Sequence, residues 1–207
     1  MKKVAFLMIG VSGSGKSTVT NKIADHIYHR YINSAILDLE LIKFSLDDCR
    51  YTFRFGFTDD LDPPFNKNEK AKYSEAFMYS CEKESEFKEH VDMRWKKSLN
   101  DADILFIDNT NLSRKSRARW TTEAQNAGFT VVAVQVVAPL SVVIERQTTR
   151  PDKSVPLYTV KEMYLRQQEV QLGSECNILI NVDGTGDGTI LEGNLIALFN
   201  QLGFNTD

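Results

Sequence analysis

The feature that most restricts the fold of this chain is a glycine-rich segment near its start. Residues 10–17 read GVSGSGKS, which matches the pattern G-x-x-x-x-G-K-[ST] of a phosphate-binding loop, or P-loop. An apolar run from Val4 to Ile9 precedes the segment, and apolar residues at helical spacing follow it from Lys16. Because a strand, a loop and a helix in this order hold a polyphosphate, the segment predicts binding of a nucleoside triphosphate.

Each residue type in this loop has a physical task. Glycines let the backbone curl with its N–H groups pointing inward, at positions where a Cβ would keep phosphate oxygens away. We expect Lys16 to reach the β and γ phosphates and the Ser17 hydroxyl to ligate Mg²⁺, so ATP and Mg²⁺ are the predicted cofactors. The predicted nucleotide-binding residues of the loop are Gly10, Ser12, Gly13, Ser14, Gly15, Lys16, Ser17 and Thr18.

Length and composition fit one soluble domain. The chain has 207 residues, of which 42% are hydrophobic and 26% are charged, so a single domain over residues 1–207 can bury a proper core. The net charge of −3 argues against a protein that coats nucleic acid. Three widely spaced cysteines predict free thiols in a reducing compartment, and no apolar stretch reaches the roughly 20 residues of a membrane span. These features predict a cytoplasmic protein.

Strand and helix patterns alternate along the whole chain. The predicted strands span residues 4–9, 34–39, 104–107, 130–137 and 177–182. One predicted helix begins at Lys16, and another lies in the segment that ends before Gly128. The other predicted helices span 67–97, 141–147, 160–170 and about 189–202. Such alternation implies right-handed crossovers, so the predicted fold class is α/β with a doubly wound parallel sheet flanked by helices.

A triphosphate site alone does not separate a kinase from a switch GTPase or a motor ATPase. A GTPase carries Asn-Lys-x-Asp at the end of a strand, whereas the nearest match here is Asn66-Lys67-Asn68-Glu69 in a proline-broken loop. A motor ATPase usually belongs to a larger, ring-forming chain. The sequence therefore favours a kinase.

Charged residues after two predicted strands are candidates for the chemistry of transfer. Asp108 follows the strand 104–107, where a carboxylate can hold the Mg²⁺ shell, although it could also cap a helix. Glu40 could take the proton of an acceptor hydroxyl, and Lys43, three residues later, could neutralise phosphoryl oxygens. The same spacing also makes an ordinary surface ion pair, and Asp38 is the alternative base.

Two arginines one helical turn apart suggest a lid. Arg146 and Arg150 precede Pro151, and such a pair fits a segment that closes over the donor phosphates and stabilises the charge that develops in transfer. Arginines at this spacing also occur on solvated helix faces.

Four segments together resemble the kinase domain of phage-type polynucleotide 5′-hydroxyl kinases. The segments are GVSGSGKST, LDLELIKFSL, ADILFIDNTNLSRKSRARW and VVIERQTTRPDKSVPLYTVKEMY, and the similarity runs from about residue 4 to 170. That family transfers the γ-phosphate of ATP to the 5′-hydroxyl end of DNA or RNA. The resemblance implies a P-loop kinase with an arginine-bearing lid, in which Arg150 contacts the donor phosphates and a nucleic-acid 5′ end is the substrate.

Two positions depart from the pattern of that family. Glu40 lies where the family has its aspartate general base, and Lys43 lies where it has an arginine. Glutamate is longer than aspartate, and lysine lacks the planar fork of arginine, so the two changes leave the acceptor less defined than the donor. Adenylylsulfate kinases have a similar sequence pattern, and related loops occur in zeta-type toxin kinases. The alternative is therefore a kinase of a small hydroxyl compound, and the third hypothesis is a nucleotide-binding adaptor without transfer activity.

A polynucleotide end would need a basic channel with aromatic faces for its bases. The candidate channel residues are Lys43, Arg50, Arg54, Arg114, Lys115, Arg117 and Arg119, with Tyr51, Phe53, Phe55 and Phe57 as stacking rings. Aromatic residues in such a run are often core residues, and the acidic segment at 59–62 would repel a phosphate backbone.

Overall fold

The computed structural model describes residues 2–32, 39–56, 70–149, 155–186 and 189–202. The strands are β1 (Lys3–Ile9), β2 (Leu41–Phe44), β3 (Ile104–Asp108), β4 (Phe129–Val137) and β5 (Ile178–Asp183). The helices are α1 (Lys16–Ile27), α2 (Leu46–Phe55), α3 (Lys70–Glu82), α4 (Glu84–Asp101), α5 (Arg114–Asn126), α6 (Leu140–Thr149), α7 (Leu157–Arg166) and α8 (Thr189–Leu202). A short π-helix, Tyr28–Ile32, follows α1.

The strands form a parallel sheet in the order β2-β3-β1-β4-β5. β1 pairs with β3 on one side and with β4 on the other. The strand order reverses beside β1, which is the place where open α/β sheets bind ligands. The P-loop follows β1 and Asp108 ends β3, so both lie at the carboxyl edge of the sheet. The predicted doubly wound α/β fold is therefore confirmed.

Both faces of the sheet are covered by helices. On one face, Phe6 contacts Phe106 and Phe199 in a core cluster that includes residues of α1 and α8. On the other face, Trp95 of α4 and Trp120 of α5 contact each other with ring centroids 4.9 Å apart. Every residue of β1 after the first is buried, which explains why this strand reads as an unbroken apolar run.

The second strand begins later in the chain than its sequence pattern predicted. Residues 34–38 of the predicted strand lie outside the described residues, and Leu39 is buried but is not part of a strand. The observed β2 pairs with β3, with Phe44 beside Ile107. As an edge strand it is only partly buried at its first three residues, so its apolar signal is weak. The carboxyl end of the strand is therefore Phe44, and the residues that follow Phe44 lie at the carboxyl edge of the sheet.

The other predicted elements differ from the observed ones mainly at their ends. The predicted helix 67–97 is two helices, because Lys83 leaves the helical region with φ −116° and ψ 49°. α7 stops at Arg166 because Gln167 is extended, with φ −69° and ψ 117°. Among the helices of the described ranges, none has the length and hydrophobicity to cross a membrane.

Candidate functional site

The P-loop has the curled backbone that its glycines predict. Gly10, Gly13 and Gly15 have φ angles of 153°, 89° and 102°, which favour glycine. A Cβ on Gly10 would lie 2.6 Å from the carbonyl oxygen of Val136, and a Cβ on Gly13 would lie 2.6 Å from Nε2 of Gln147. The glycines therefore permit both the curl and the close contact of the loop with β4 and α6.

Lys16 begins α1 and turns its side chain back into the loop. Its Nζ donates to the carbonyl oxygens of Gly10 and Val11, at 2.9 Å in each case. The residue is 9% exposed, so the ammonium group has lost most of its water and is solvated by loop carbonyls instead. The ammonium group therefore lies within the loop, and Lys16 lines the cleft.

The segment after β3 connects three parts of the site. The Gly10 N–H donates to the carbonyl oxygen of Thr110 at 3.0 Å. Asn111 donates through Nδ2 to a carbonyl oxygen of β1 at 2.8 Å, and its φ of 49° is one that asparagine tolerates. The Leu46 N–H donates to Oδ1 of Asn109 at 2.8 Å. The segment thus holds the P-loop, β1 and the start of α2 together.

Asp108 lies at the end of β3 in the same cleft as the P-loop. Its Oδ2 forms an ion pair with Nζ of Lys43 at 3.7 Å, and its side chain is 9% exposed. The hydroxyl-bearing Ser17 lines the same cleft. A serine oxygen, a carboxylate and phosphate oxygens are ligands that Mg²⁺ accepts together with water, so these residues fit an ATP complex with magnesium.

Acidic and basic residues of the opposite wall come from the start of α2. Ser45 caps this helix, because its Oγ accepts from the Asp48 N–H at 3.0 Å. Asp47 accepts at Oδ1 from Nη1 of Arg50 and from the hydroxyl of Tyr73, and both distances are 3.0 Å. All five residues line the cleft.

The two neighbouring carboxylates of α2 have different surroundings. The Asp47 side chain is 30% exposed and lies at the surface of the cleft. Burial raises the pKa of Asp48 above its ordinary value, although the hydrogen bond with Ser45 and the charge of Lys43 act in the opposite direction. Asp47 is therefore partly accessible, and Asp48 is the carboxylate whose charge burial disfavours.

A single cleft of about 900 Å³ contains the P-loop and the start of α2. The predicted site residues that line it are Ser12, Gly13, Gly15, Lys16, Ser17, Thr18, Lys43, Asp108 and Arg146. Gly10 and Ser14, which belong to the same loop, are buried. The volume is at the upper end of the range for small-molecule sites, so it suits a nucleotide and a second compound.

The structure does not bring Glu40 to this cleft. Glu40 precedes β2, and its N–H donates to Oδ2 of Asp103 at 3.1 Å, at the amino edge of the sheet. The four residues of β2, about 13 Å of extended chain, separate Glu40 from the carboxyl edge. Glu40 therefore lies away from this cleft, whereas Asp47 and Asp48 line it. The alternative base Asp38 is outside the described residues.

Arg146 fastens α6 to the P-loop. Its Nη1 donates to the carbonyl oxygen of Gly13 at 3.2 Å, and its Nη2 donates to that of Gly184 at 2.8 Å. Gly184 follows β5 and packs so closely that a Cβ there would overlap the carbonyl oxygen of Ser14. Arg150 lies outside the described residues, so its contact with donor phosphates stays a prediction.

Several residues expected to line a nucleic-acid channel contact other side chains of the protein. Arg117 is fully buried and pairs with Glu175 at 2.9 Å. Arg119 pairs with Asp92 at 2.6 Å. Phe53 packs against three other rings at centroid distances of 5.3 to 5.5 Å. These side chains therefore contact other residues of the protein, and they do not line a channel in this structure.

Other expected channel residues are divided between the cleft and the surface. Lys43 and Arg50 line the cleft. Arg54 pairs with Glu75 at 2.6 Å on an exposed surface. Phe57 lies outside the described residues.

Sequence reasoning missed Asp47, Asp48 and Tyr73 as site residues. A signal for the first two was present, since Ser45 and Asp48 have the spacing of a helix N-cap and its third helical residue. That signal places a helix start after Phe44 and a strand end before it. The contribution of Tyr73 comes from the packing of α3 against α2, which no local pattern announces.

Comparison with solved structures shows where else this fold occurs. Kti12 from Chaetomium thermophilum, solved in complex with ADP-AlF3, has a TM-score of 0.65 and 14% identity, covering 95% of this chain and 97% of that chain. A gluconokinase from Sinorhizobium meliloti 1021 has a TM-score of 0.54 and 17% identity, covering 99% and 98% respectively. Identity this low shows a common fold alone and carries no information on the substrate. A search of curated proteins found no match.

A family model described as an AAA domain matches residues 6–170. The match begins in β1, contains the P-loop and Asp108, and ends after α7. The predicted P-loop domain of kinase-like fold is thereby confirmed, while the narrower resemblance to polynucleotide kinases stays a prediction. Because the model covers most of the sequence, the chain belongs to the AAA domain family.

Proposed function

We propose that this protein is an ATP-dependent phosphotransferase whose acceptor is a hydroxyl group of a small molecule. The observation that carries the proposal is the cleft shared by the P-loop and the start of α2. A polyphosphate bound to the loop would face Asp47, Asp48 and Arg50 across this cleft. A donor site beside a carboxylate and a cation is the arrangement that transfer to a hydroxyl requires.

The donor side of the cleft would hold ATP through its phosphates. The P-loop N–H groups and Lys16 would bind the β and γ phosphates. Ser17 and Asp108 would hold Mg²⁺, which supplies positive charge at the phosphate oxygens. Arg146, already in contact with the loop, would add positive charge beside them, and Arg150 is proposed for the same task.

Asp47 is the proposed general base on the acceptor side. Its carboxylate lies at the cleft surface, and Arg50 and Tyr73 hold one of its oxygens. An ionised carboxylate in a fixed orientation can take the proton of a hydroxyl while that oxygen bonds to the γ-phosphorus. The bond from the γ-phosphorus to the β–γ bridging oxygen breaks in the same transfer, so ADP is the leaving group. Asp48, whose pKa burial raises, is the competing candidate. Lys43 retains its proposed role beside the transferred phosphoryl group.

The fate of the expected channel residues favours a small acceptor. Binding of a strand needs cations spaced along its backbone and open aromatic faces for its bases. Arg117 is buried, Arg119 is paired, and Phe53 lies within an aromatic cluster, so these residues support no such track. The cations that line the cleft lie close to the place of transfer.

A 5′-hydroxyl polynucleotide is the second candidate acceptor. It is favoured by the resemblance of residues 107–112 and 146–156 to phage-type polynucleotide kinases. In this structure the first of these segments includes Asn109, whose Oδ1 binds the start of α2 beside the proposed base. The resemblance therefore concerns residues that adjoin the acceptor side of the cleft.

Incubation with γ-labelled ATP, Mg²⁺ and a panel of acceptors tests the proposal. The panel contains sugars, sugar acids, nucleosides, adenylylsulfate and 5′-hydroxyl oligonucleotides, and Lys16→Ala is the control without transfer. We expect label on a small hydroxyl compound. Label on an oligonucleotide, with acceptor binding that weakens steeply as salt rises, would support the second candidate. ATP binding without label on any acceptor would overturn both candidates in favour of an adaptor.

A further inference from the structure

Tyr73 of α3 reaches across to the proposed base on α2. Its hydroxyl donates to Oδ1 of Asp47 at 3.0 Å, the same oxygen that accepts from Nη1 of Arg50 at 3.0 Å. We propose that Tyr73 is a positioning residue that fixes the Asp47 carboxylate for proton transfer. This inference rests on the proposed phosphotransferase function and adds a residue to its acceptor side.

An aspartate in the first turn of a helix can rotate about its side-chain bonds unless other groups hold it. Two donors that meet at one oxygen fix both the position of that oxygen and the plane of the carboxylate. Transfer between bound groups depends on such placement, because a misplacement of about 1 Å can lower a rate by about 100-fold. A second donor from another helix therefore restricts Asp47 more than Arg50 alone does.

The two donors are held by different means. The guanidinium of Arg50 lies over the rings of Phe77 and Phe87, at 5.2 and 5.6 Å from their centroids. Burial raises the pKa of Tyr73, against the opposing effect of the Arg50 charge, so its hydroxyl stays protonated at neutral pH. Tyr73 can therefore donate to a carboxylate throughout the range in which Asp47 would act as a base.

Position relative to the cleft distinguishes Tyr73 from Tyr79, the other tyrosine of α3. Tyr73 lines the cleft, whereas Tyr79 packs against Phe53 with ring centroids 5.3 Å apart and does not line it. Substitution of either tyrosine by phenylalanine removes one oxygen atom from the same helix. Only the loss at Tyr73 removes a donor to the proposed base.

Steady-state hydrolysis of MgATP, with water in the place of the acceptor hydroxyl, tests this role. We compare Tyr73→Phe with Tyr79→Phe, Asp47→Asn, Asp48→Asn and Lys16→Ala. In Tyr73→Phe we expect kcat to fall about 10-fold at an unchanged KM for MgATP, because the Asp47 carboxylate loses one of the two donors that orient it, while the loss of one hydrogen bond should lower Tm by only a few degrees. Tyr79→Phe should keep the wild-type kcat, and Asp47→Asn should lose at least about 100-fold.

Three outcomes distinguish the inference from the function on which it rests. Full activity of Tyr73→Phe beside an inactive Asp47→Asn would overturn the positioning role and leave the proposed function in place. Activity that depends on Asp48 and not on Asp47 would also overturn it. Wild-type protein that neither binds nor turns over MgATP, like Lys16→Ala, would overturn the proposed function itself.

Discussion

Arg117→Leu should destabilise the fold more than any surface change on the same helix. The Arg117 guanidinium is fully buried, and its five N–H groups make six hydrogen-bond contacts because Nη1 shares its two hydrogens among three carbonyl oxygens. Its acceptors are both carboxylate oxygens of Glu175 and the carbonyl oxygens of Asn111, Leu112, Gln168 and Glu169. The side chain therefore joins the segment after β3 to the segment between α7 and β5.

The size of the effect follows from what the substitution leaves behind. Glu175 is 8% exposed, so removal of Arg117 leaves a carboxylate buried without its cation. Breaking a buried pair in this way costs about 3–5 kcal/mol, and the carbonyl oxygens that lose their donor place the value at the upper end. For a chain of this size the expected fall in Tm is roughly 10 °C or more.

Urea unfolding followed by tryptophan fluorescence measures this loss, since Trp120 lies on the same helix as Arg117. Arg119→Leu is the matched control, because its pair with Asp92 is exposed and should contribute less than about 1 kcal/mol. The double variant Arg117→Leu/Glu175→Leu should recover part of the loss. A loss in Arg117→Leu no larger than in Arg119→Leu would refute the reasoning.

The same pair predicts a dependence on pH. Burial acts to raise the pKa of Glu175, but the hydrogen bonds from Arg117 and Gln171 and the neighbouring positive charges hold it below its ordinary value. A lowered pKa in the folded state stabilises the protein above the unfolded value, and that stability is lost as the pH falls through the folded value. In the wild type this loss should begin below about pH 5. The defect of Arg117→Leu should shrink over the same range, because a protonated Glu175 needs no cation.

Two further predictions concern the loop contact of β5 and the cysteines. Gly184→Ala should weaken MgATP binding at least about 10-fold in calorimetry, because its Cβ would overlap the carbonyl oxygen of Ser14 and distort the P-loop; an unchanged Kd would contradict this. Burial raises the pKa of Cys49 to about 12, so iodoacetamide should label exposed Cys81 in the native protein and reach Cys49 only after unfolding. Mass spectrometry locates the label, Cys81→Ser is the control, and rapid native labelling of Cys49 would be the contrary result.

The central part of the fold could be predicted because its signals are local and strong. β1 is buried on both faces, so its sequence is a continuous apolar run. β4 begins within one residue of its predicted start for the same reason, and α8 begins at its predicted start. The glycines that follow β1 have φ angles that favour glycine, so their spacing identifies the P-loop directly. Asp108 was placed correctly in the cleft because it directly follows a buried strand.

The acceptor side could not be predicted as well because it depends on an edge strand. β2 has only four residues, and one of them is Lys43, which interrupts the apolar pattern of the strand. Its Nζ forms the ion pair with Asp108. The strand end was therefore expected five residues too early, which made Glu40 the candidate base, whereas the base proposed from the structure is Asp47. An error of a few residues matters here, since each residue of a strand advances it by about 3.3 Å.

Arg117 shows another limit of pattern reasoning. An arginine on a helix that also carries Arg114 and Arg119 reads as part of a basic surface. Its burial becomes evident only when residues 168–175, far away in sequence, supply the acceptors that satisfy it. Long-range partners of this kind have no local sequence signal.

Calorimetric titration of MgATP into the wild-type protein and into Lys16→Ala tests the central claim most directly. The account predicts saturable binding to the wild type and a loss of at least about 100-fold in affinity when the ammonium beside Gly10 and Val11 is removed. Equal affinity in the two proteins, or no heat of binding in either, would contradict the claim that this loop holds the phosphates of ATP.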